Sequence, residues 1–188
     1  MEKFKRTIKY ESELERDFTK EVINSLGGEG ILECIQCGTC SGTCPLSIYM
    51  DYTPRRIIAM VREGFKEEVL SSKTIWLCAS CYSCQVECPQ NIKITYIMYA
   101  LKRMAIKEGK YPRKFPIPIL AKTFYDMVLK NGRQSEARLV MNLWLKTSLL
   151  KILKNSLFGL KLLNKGRLSF KEEKIKDKKT FKKLLKEG

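Results

Sequence analysis

The sequence predicts an all-α fold, and three observations carry that expectation. One cysteine run, C-x2-C-x2-C-x3-C-P, occurs twice, as Cys34, Cys37, Cys40, Cys44 with Pro45 and as Cys78, Cys81, Cys84, Cys88 with Pro89. Between the runs lies a complete helix signature: Thr53-Pro54 at the start, Ile57, Ile58 and Val61 on one face, and Gly64 as a stop. After the second run, Ile92, Ile94, Tyr96 and Met98 alternate like a strand. However, Ile94, Ile97, Met98, Leu101, Met104 and Ala105 keep a helical pattern for longer, up to Gly109.

The remaining elements follow the same logic. Residues 10–25 read as a charged helix with Leu14, Phe18, Val22 and Ile23 at helical spacing, broken by Gly27-Gly28. Pro112, Pro116 and Pro118 mark a linker. Residues 119–131 and 134–163 read as helices; in the second, Leu149, Leu150, Leu153, Leu157 and Leu160 share a face. Lys151, Lys154, Lys161 and Lys165 lie opposite, broken only by Phe158. Residues 171–188 form a lysine-rich tail with Ile175, Phe181, Leu184 and Leu185, expected to become helical on docking. Three segments result: an N-terminal helical segment over 1–33, a cysteine-bearing domain over 34–110, and a basic helical extension over 111–188.

All eight cysteines of the chain sit in the two runs. Thiolates separated by two residues wrap one face of an iron–sulfur cube, and the proline after the fourth cysteine turns the backbone away. This run holds [4Fe–4S] clusters, with its fourth cysteine ligating the other cluster. On this chain one cluster takes Cys34, Cys37, Cys40 and Cys88, and the other takes Cys78, Cys81, Cys84 and Cys44. Two [4Fe–4S] clusters are therefore expected, with iron as the metal at all eight cysteines. Zinc sites come as separated C-x2-C pairs, often with His, and the chain has no His. Disulfide frameworks suit small secreted domains, whereas Met1-Glu2-Lys3-Phe4-Lys5-Arg6 leads into no apolar signal region. The absence of His also excludes Rieske ligation, His-held haem and imidazole catalysis.

Around the ligands, Gly38, Ser41 and Gly42 suit tight wrapping of backbone round sulfur, and Trp76 and Tyr82 suit shielding of a cluster from water. Arg55 and Arg56 read as a solvated helix face that could also tune a cluster or meet a partner.

The chain has 188 residues, 44% of them hydrophobic, which is enough for a packed core. Lysines interrupt its apolar stretches, so no transmembrane span is expected, and reduced thiols with oxygen-sensitive clusters point to the cytoplasm. The formal charge of +16 resides in the C-terminal half, where residues 101–188 carry 24 basic and 7 acidic side chains. Such a segment packs on its own core, docks a partner subunit, or meets an anionic membrane surface. Nucleic acid is disfavoured, since few aromatics interleave with the lysines.

Catalysis finds no support: no nucleophile with a base, no Gly-rich phosphate loop and no open metal site is visible. The chain reads as a conductor of single electrons between redox partners.

The strings Cys34-Ile-Gln-Cys37-Gly-Thr-Cys40-Ser-Gly-Thr-Cys44-Pro45, Val61-Arg62-Glu63-Gly64 and Ile75-Trp76-Leu77-Cys78-Ala79-Ser80-Cys81-Tyr82-Ser83-Cys84 resemble the iron–sulfur (HdrC-type) component of the heterodisulfide reductases of methanogenic archaea. The resemblance covers about residues 12–108. It implies a helical ferredoxin fold, with the eight cysteines as cluster ligands in an electron-transfer subunit without a catalytic centre. It also implies two partners within heterodisulfide reductase: a flavin-containing subunit, and a cysteine-rich catalytic subunit that reduces the mixed disulfide of coenzymes M and B in methanogenesis. A larger assembly with a hydrogenase or formate dehydrogenase fits the same picture. The alternative is an iron–sulfur conduit subunit of another oxidoreductase. Succinate and fumarate oxidoreductase subunits need an upstream C-x4-C-x2-C domain, and glycerol-3-phosphate types fuse the module to cysteine-rich domains; neither pattern stands in these 188 residues. A free ferredoxin would not need the long basic extension.

Overall fold

The computed structural model describes residues 9–112, 115–147, 149–167 and 175–187. Among these residues the chain is helical and without strands, so the all-α expectation is met. It divides after Pro112 into two compact units.

In the first unit, α1 (Asp17–Ile23) is shorter than the helix expected over 10–25. A single 3-10 turn spans Glu11–Glu13, and the backbone is extended at Leu14. The Glu13 carboxylate folds back to accept the Tyr10 N–H at 2.7 Å, which ends that turn early. Glu15 N–H then donates to Gly64 O at 3.0 Å, committing the extended link to a neighbouring loop. Phe18 and Val22 point inward and are fully buried. The signal-peptide reading of residues 1–6 lies outside the described residues.

After the first cysteine run and its short α2 (Thr39–Gly42), α3 spans Pro54–Arg62. Pro54 occupies its first position, where a missing N–H costs nothing, and Ile57, Ile58 and Val61 are fully buried. Gly64 ends it at φ +83°. Its lack of a side chain is required by contact as well, since a Cβ there would stand 2.8 Å from Glu15 O.

Next come α4 (Lys66–Ser71) and α5 (Thr74–Leu77), followed by the second run with its short α6 (Ser83–Val86). The long α7 (Ile94–Glu108) resolves the strand-or-helix question in favour of helix. Ile94, Ile97, Met98, Leu101 and Ala105 form its buried stripe, and Ile92 is buried just before it. The helices α1, α4, α5 and α6 all pack on α7, and α1, α2 and α4 pack on α3. Each fully buried Phe, Ile or Leu contributes roughly 1.5–3 kcal/mol by burial, so α3 and α7 form the frame that holds both cysteine runs.

A cluster of opposite charges closes the side of this frame. Lys66, almost fully buried, places Nζ 2.9 Å from Glu108, 3.0 Å from Glu21 and 3.5 Å from Glu15. Lys110 reaches Glu67 at 2.9 Å and Glu108 at 3.3 Å. These pairs tie α1, α4 and the end of α7 together.

The second unit opens with α8 (Pro116–Asn131). Pro116 and Pro118, expected in a linker, lie in its first turn, where backbone N–H groups have no intrahelical partner and proline is tolerated. The single helix expected over 134–163 is two, α9 (Glu136–Thr147) and α10 (Leu149–Asn164). Apolar side chains explain the fold-back: Val140, Met141 and Trp144 of α9 and Phe158, Leu160 and Leu163 of α10 line one open cleft. The α10 leucine face is exposed at Leu150, Leu157 and Leu160. The expected positions Leu149, Leu153, Lys151 and Lys154 have side chains outside the described residues. In the tail, α11 (Lys178–Glu187) starts at Asp177, whose carboxylate accepts the N–H groups of Lys179 and Thr180, each at 3.1 Å. The tail's residues 171–174 and the side chain of Leu185 lie outside the described residues. Among the described residues no helix is long and apolar enough to cross a membrane.

Candidate iron–sulfur centre

The two cysteine runs fold alike. In the first, Gln36 and Gly38 take positive φ (58° and 88°); in the second, Ser80 and Tyr82 do so (57° and 64°). In each run the positions two and four residues after the first cysteine are left-handed, a conformation that curls the backbone round a point. A short helix follows in each, α2 and α6, carrying the third cysteine. The likeness continues into the long helices. Pro54 opens α3 as Ile94 opens α7, so Ile57 matches Ile97, Val61 matches Leu101 and Arg62 matches Lys102.

The matched cations do matched work. Arg62 Nη1 donates to the carbonyl of Cys34 at 2.7 Å, and Lys102 Nζ donates to the carbonyl of Cys78 at 3.1 Å. Each long helix thus clamps the entrance of the run that precedes it. Neither residue stands out in the sequence alone. The signal is there as an internal repeat, since each lies eight residues after the start of its helix.

The runs enclose two cavities. The first, about 360 Å³ of empty space partly open to solvent, is lined by Cys34, Cys37 and Cys40 together with Cys88. The second, about 430 Å³, is lined by Cys78, Cys81 and Cys84 together with Cys44. All eight expected site residues are accounted for, and each cavity gathers three cysteines of one run and the fourth of the other. Ile94, nearly fully buried, lines both cavities and separates them. Among the described residues no three His, Cys, Asp or Glu side chains converge on a single-ion site, so the four thiols round each cavity surround a volume. Thiols alone, four to a cavity, form the donor set that an iron–sulfur cube requires.

The thiols differ by depth. Cys37 is exposed, and its pKa is lowered by the Thr39 hydroxyl, 3.4 Å away, and by the Thr39 backbone N–H. Cys81, its counterpart, is lowered by the backbone N–H and then the hydroxyl of Ser83. Cys40 is buried and its thiol is pushed up to about 11, chiefly by desolvation with neighbouring thiols adding to it. Cys84 moves up for the same first reason. Outer thiols held ready as thiolates and inner ones that ionise only against positive charge suit a cationic occupant.

Of the flanking residues, Tyr82 lines the second cavity and stacks edge-on with Tyr96, ring centroids 6.3 Å apart. Trp76 is buried edge-on against Tyr111, also at 6.3 Å. Ser41 serves the architecture: its hydroxyl accepts the Arg55 backbone N–H at 3.0 Å, tying the first run to α3. Arg55 itself lines the first cavity.

Comparison with known proteins agrees with this geometry. Residues 30–92 match the 4Fe-4S dicluster domain family. The chain is similar to the C-type subunit of the H(2):CoB-CoM heterodisulfide,ferredoxin reductase of Methanothermobacter marburgensis, 38% identical over 96 residues, 51% of each chain. It is 42% identical over 90 residues to the C-type subunit of the Ferredoxin:CoB-CoM heterodisulfide reductase of Methanosarcina acetivorans, covering 48% of this chain and 36% of that one. It is also 38% identical over 104 residues to an iron-sulfur subunit of the CoB–CoM heterodisulfide reductase of Methanocaldococcus jannaschii, 52% and 55% of the two chains. The chain thus spans about half the length, or less, of these relatives. The resemblance read from the sequence holds, and the dicluster domain with its eight cysteines provides for two [4Fe–4S] clusters.

Proposed function

We propose that this chain is the electron-transfer subunit of a heterodisulfide reductase complex, holding one cluster on Cys34, Cys37, Cys40 and Cys88 and the other on Cys78, Cys81, Cys84 and Cys44. When bound, such clusters supply one-electron redox chemistry. The observation that carries the reading is the sorting of eight thiols into two cavities across both runs. Four thiolates saturate a cube, which leaves the protein to hold, orient and insulate. Arg62 and Lys102 fix the two run entrances, Ile94 and Ile58 keep water from the first cavity's inner wall, and Met98 does so in the second. Reduction of the coenzyme M–coenzyme B disulfide then belongs to a cysteine-rich partner, with a flavin-bearing partner as electron source. The names of the relatives, all iron–sulfur or C-type components of heterodisulfide reductases, support this assignment.

The test is Cys44→Ser, followed by electron paramagnetic resonance of the reduced protein. The expected result is loss or conversion of the cluster of the second run, although Cys44 belongs to the first. Damage confined to the first run's cluster would contradict the assignment.

A further inference from the structure

The internal repeat makes one departure conspicuous. At matched positions of the two sites stand Gly38 with Arg55 in the first and Tyr82 with Thr95 in the second. Gly38 and Tyr82 have the same left-handed backbone, at φ 88° and 64°. Gly38 leaves the space above the run empty, and Arg55 fills it. The Cδ and Nε of Arg55 lie 3.6 and 4.0 Å from where a Cβ on Gly38 would stand. At the second site the Tyr82 ring occupies that position, and Thr95, 1% exposed, stands where the arginine would be. Its hydroxyl lies 3.9 Å from Cys84 Sγ.

The linings follow suit. Beside its cysteines the first cavity has Arg55, Gln36 and Gln90, and Gln36 Nε2 donates towards Cys34 Sγ at 3.4 Å. The second has Leu46, Met50, Met98 and Tyr82, with no charged side chain. The clamping cations, Arg62 and Lys102, are paired between the sites and cancel in the comparison. Adding an electron to either site adds negative charge. A nearby guanidinium and an amide donor favour that state, and an apolar, aromatic wall disfavours it.

Resting on the two-cluster reading above, we infer that Arg55 is a positioning residue for charge: it makes the Cys34/Cys37/Cys40/Cys88 site the stronger electron holder of the two. An electron shared between the sites then rests at the first, and exchange runs downhill from the second site to the first. Arg55 is exposed, so water and salt screen it and the effect is graded rather than absolute.

The experiment is a potentiometric titration of the full chain with both clusters loaded, followed by electron paramagnetic resonance at low and high ionic strength. Cys37→Ser and Cys81→Ser assign the two signals, since each alters one site. In the unmodified chain the first site is expected to have the higher midpoint. Arg55→Thr, which copies Thr95, is expected to lower that midpoint by three- to tenfold in the reduction equilibrium, tenfold corresponding to about 59 mV for one electron. The shift should shrink at high salt, Arg55→Lys should retain most of the midpoint, and the second site should stay in place. A first-site midpoint that is already the lower one, or that ignores Arg55→Thr, overturns the inference and leaves the two-cluster reading standing. An equal shift at both sites also overturns it, because the charge would then act on the whole molecule. Failure of the unmodified chain to bind two clusters defeats the underlying reading instead.

Discussion

Arg62 and Lys102 show how single side chains hold this site without touching sulfur. Each commits a part-buried cation to the carbonyl of a first cysteine, a hydrogen bond of the charge-assisted kind. Removing one donor strands that carbonyl at a cost of about 1–3 kcal/mol. Arg62→Met is expected to lower the thermal midpoint by about 4–8 °C per kcal/mol lost, with the first run's cluster bleaching first. Lys102→Met should mirror it at the second run. If both variants bleached the same cluster, the repeat would have no energetic meaning. At this scale the cysteines are legible in the sequence, because thiol spacing translates directly into ligand geometry. The clamps are not, since an Arg or Lys on a helix face is ordinarily solvated and only the matched register of α3 and α7 marks these two.

The elements are held together partly by the buried Lys66. Burial alone would lower its pKa, but hydrogen bonds from its ammonium to Glu108 and Glu21 outweigh that and raise it. Burial likewise pushes Glu108 up, and its bonds to Lys66 and Lys110 more than reverse this, leaving it lowered. The signs give two windows. A lowered carboxylate contributes stability above its ordinary value of about 4.5, lost as pH falls through the lower folded value. A raised lysine contributes below its ordinary 10.5, lost as pH rises through the higher folded value. Unfolding followed by circular dichroism should therefore show an acid-labile α1–α4–α7 junction, with Glu108→Gln flattening the slope below about pH 4.5. An unchanged acid limb would show the network to be inert. Helix α3 is legible because its caps and its apolar face agree. Helix α1 is shorter than its periodicity suggests because the Glu13 fold-back and the Gly64 contact are choices that the spacing of Phe18 and Val22 does not record. Pro116 and Pro118 mislead for a related reason: proline is as compatible with a helix's first turn as with a linker.

For the whole molecule, two units share one chain, and they are unequally legible. The cysteine-bearing unit can be read because a hydrophobic frame and a ligand code point to the same structure. The basic unit carries a pattern, leucines opposite lysines, that specifies helices without specifying where they turn, so the sequence does not separate α9 from α10. The claim that organises everything else is that the first unit folds round two iron–sulfur cubes. Iron and acid-labile sulfide, quantified in the anaerobically prepared full-length chain, test it most directly. About eight of each per chain are expected, as two [4Fe–4S] clusters require; about four irons or fewer, or zinc in their place, would contradict it.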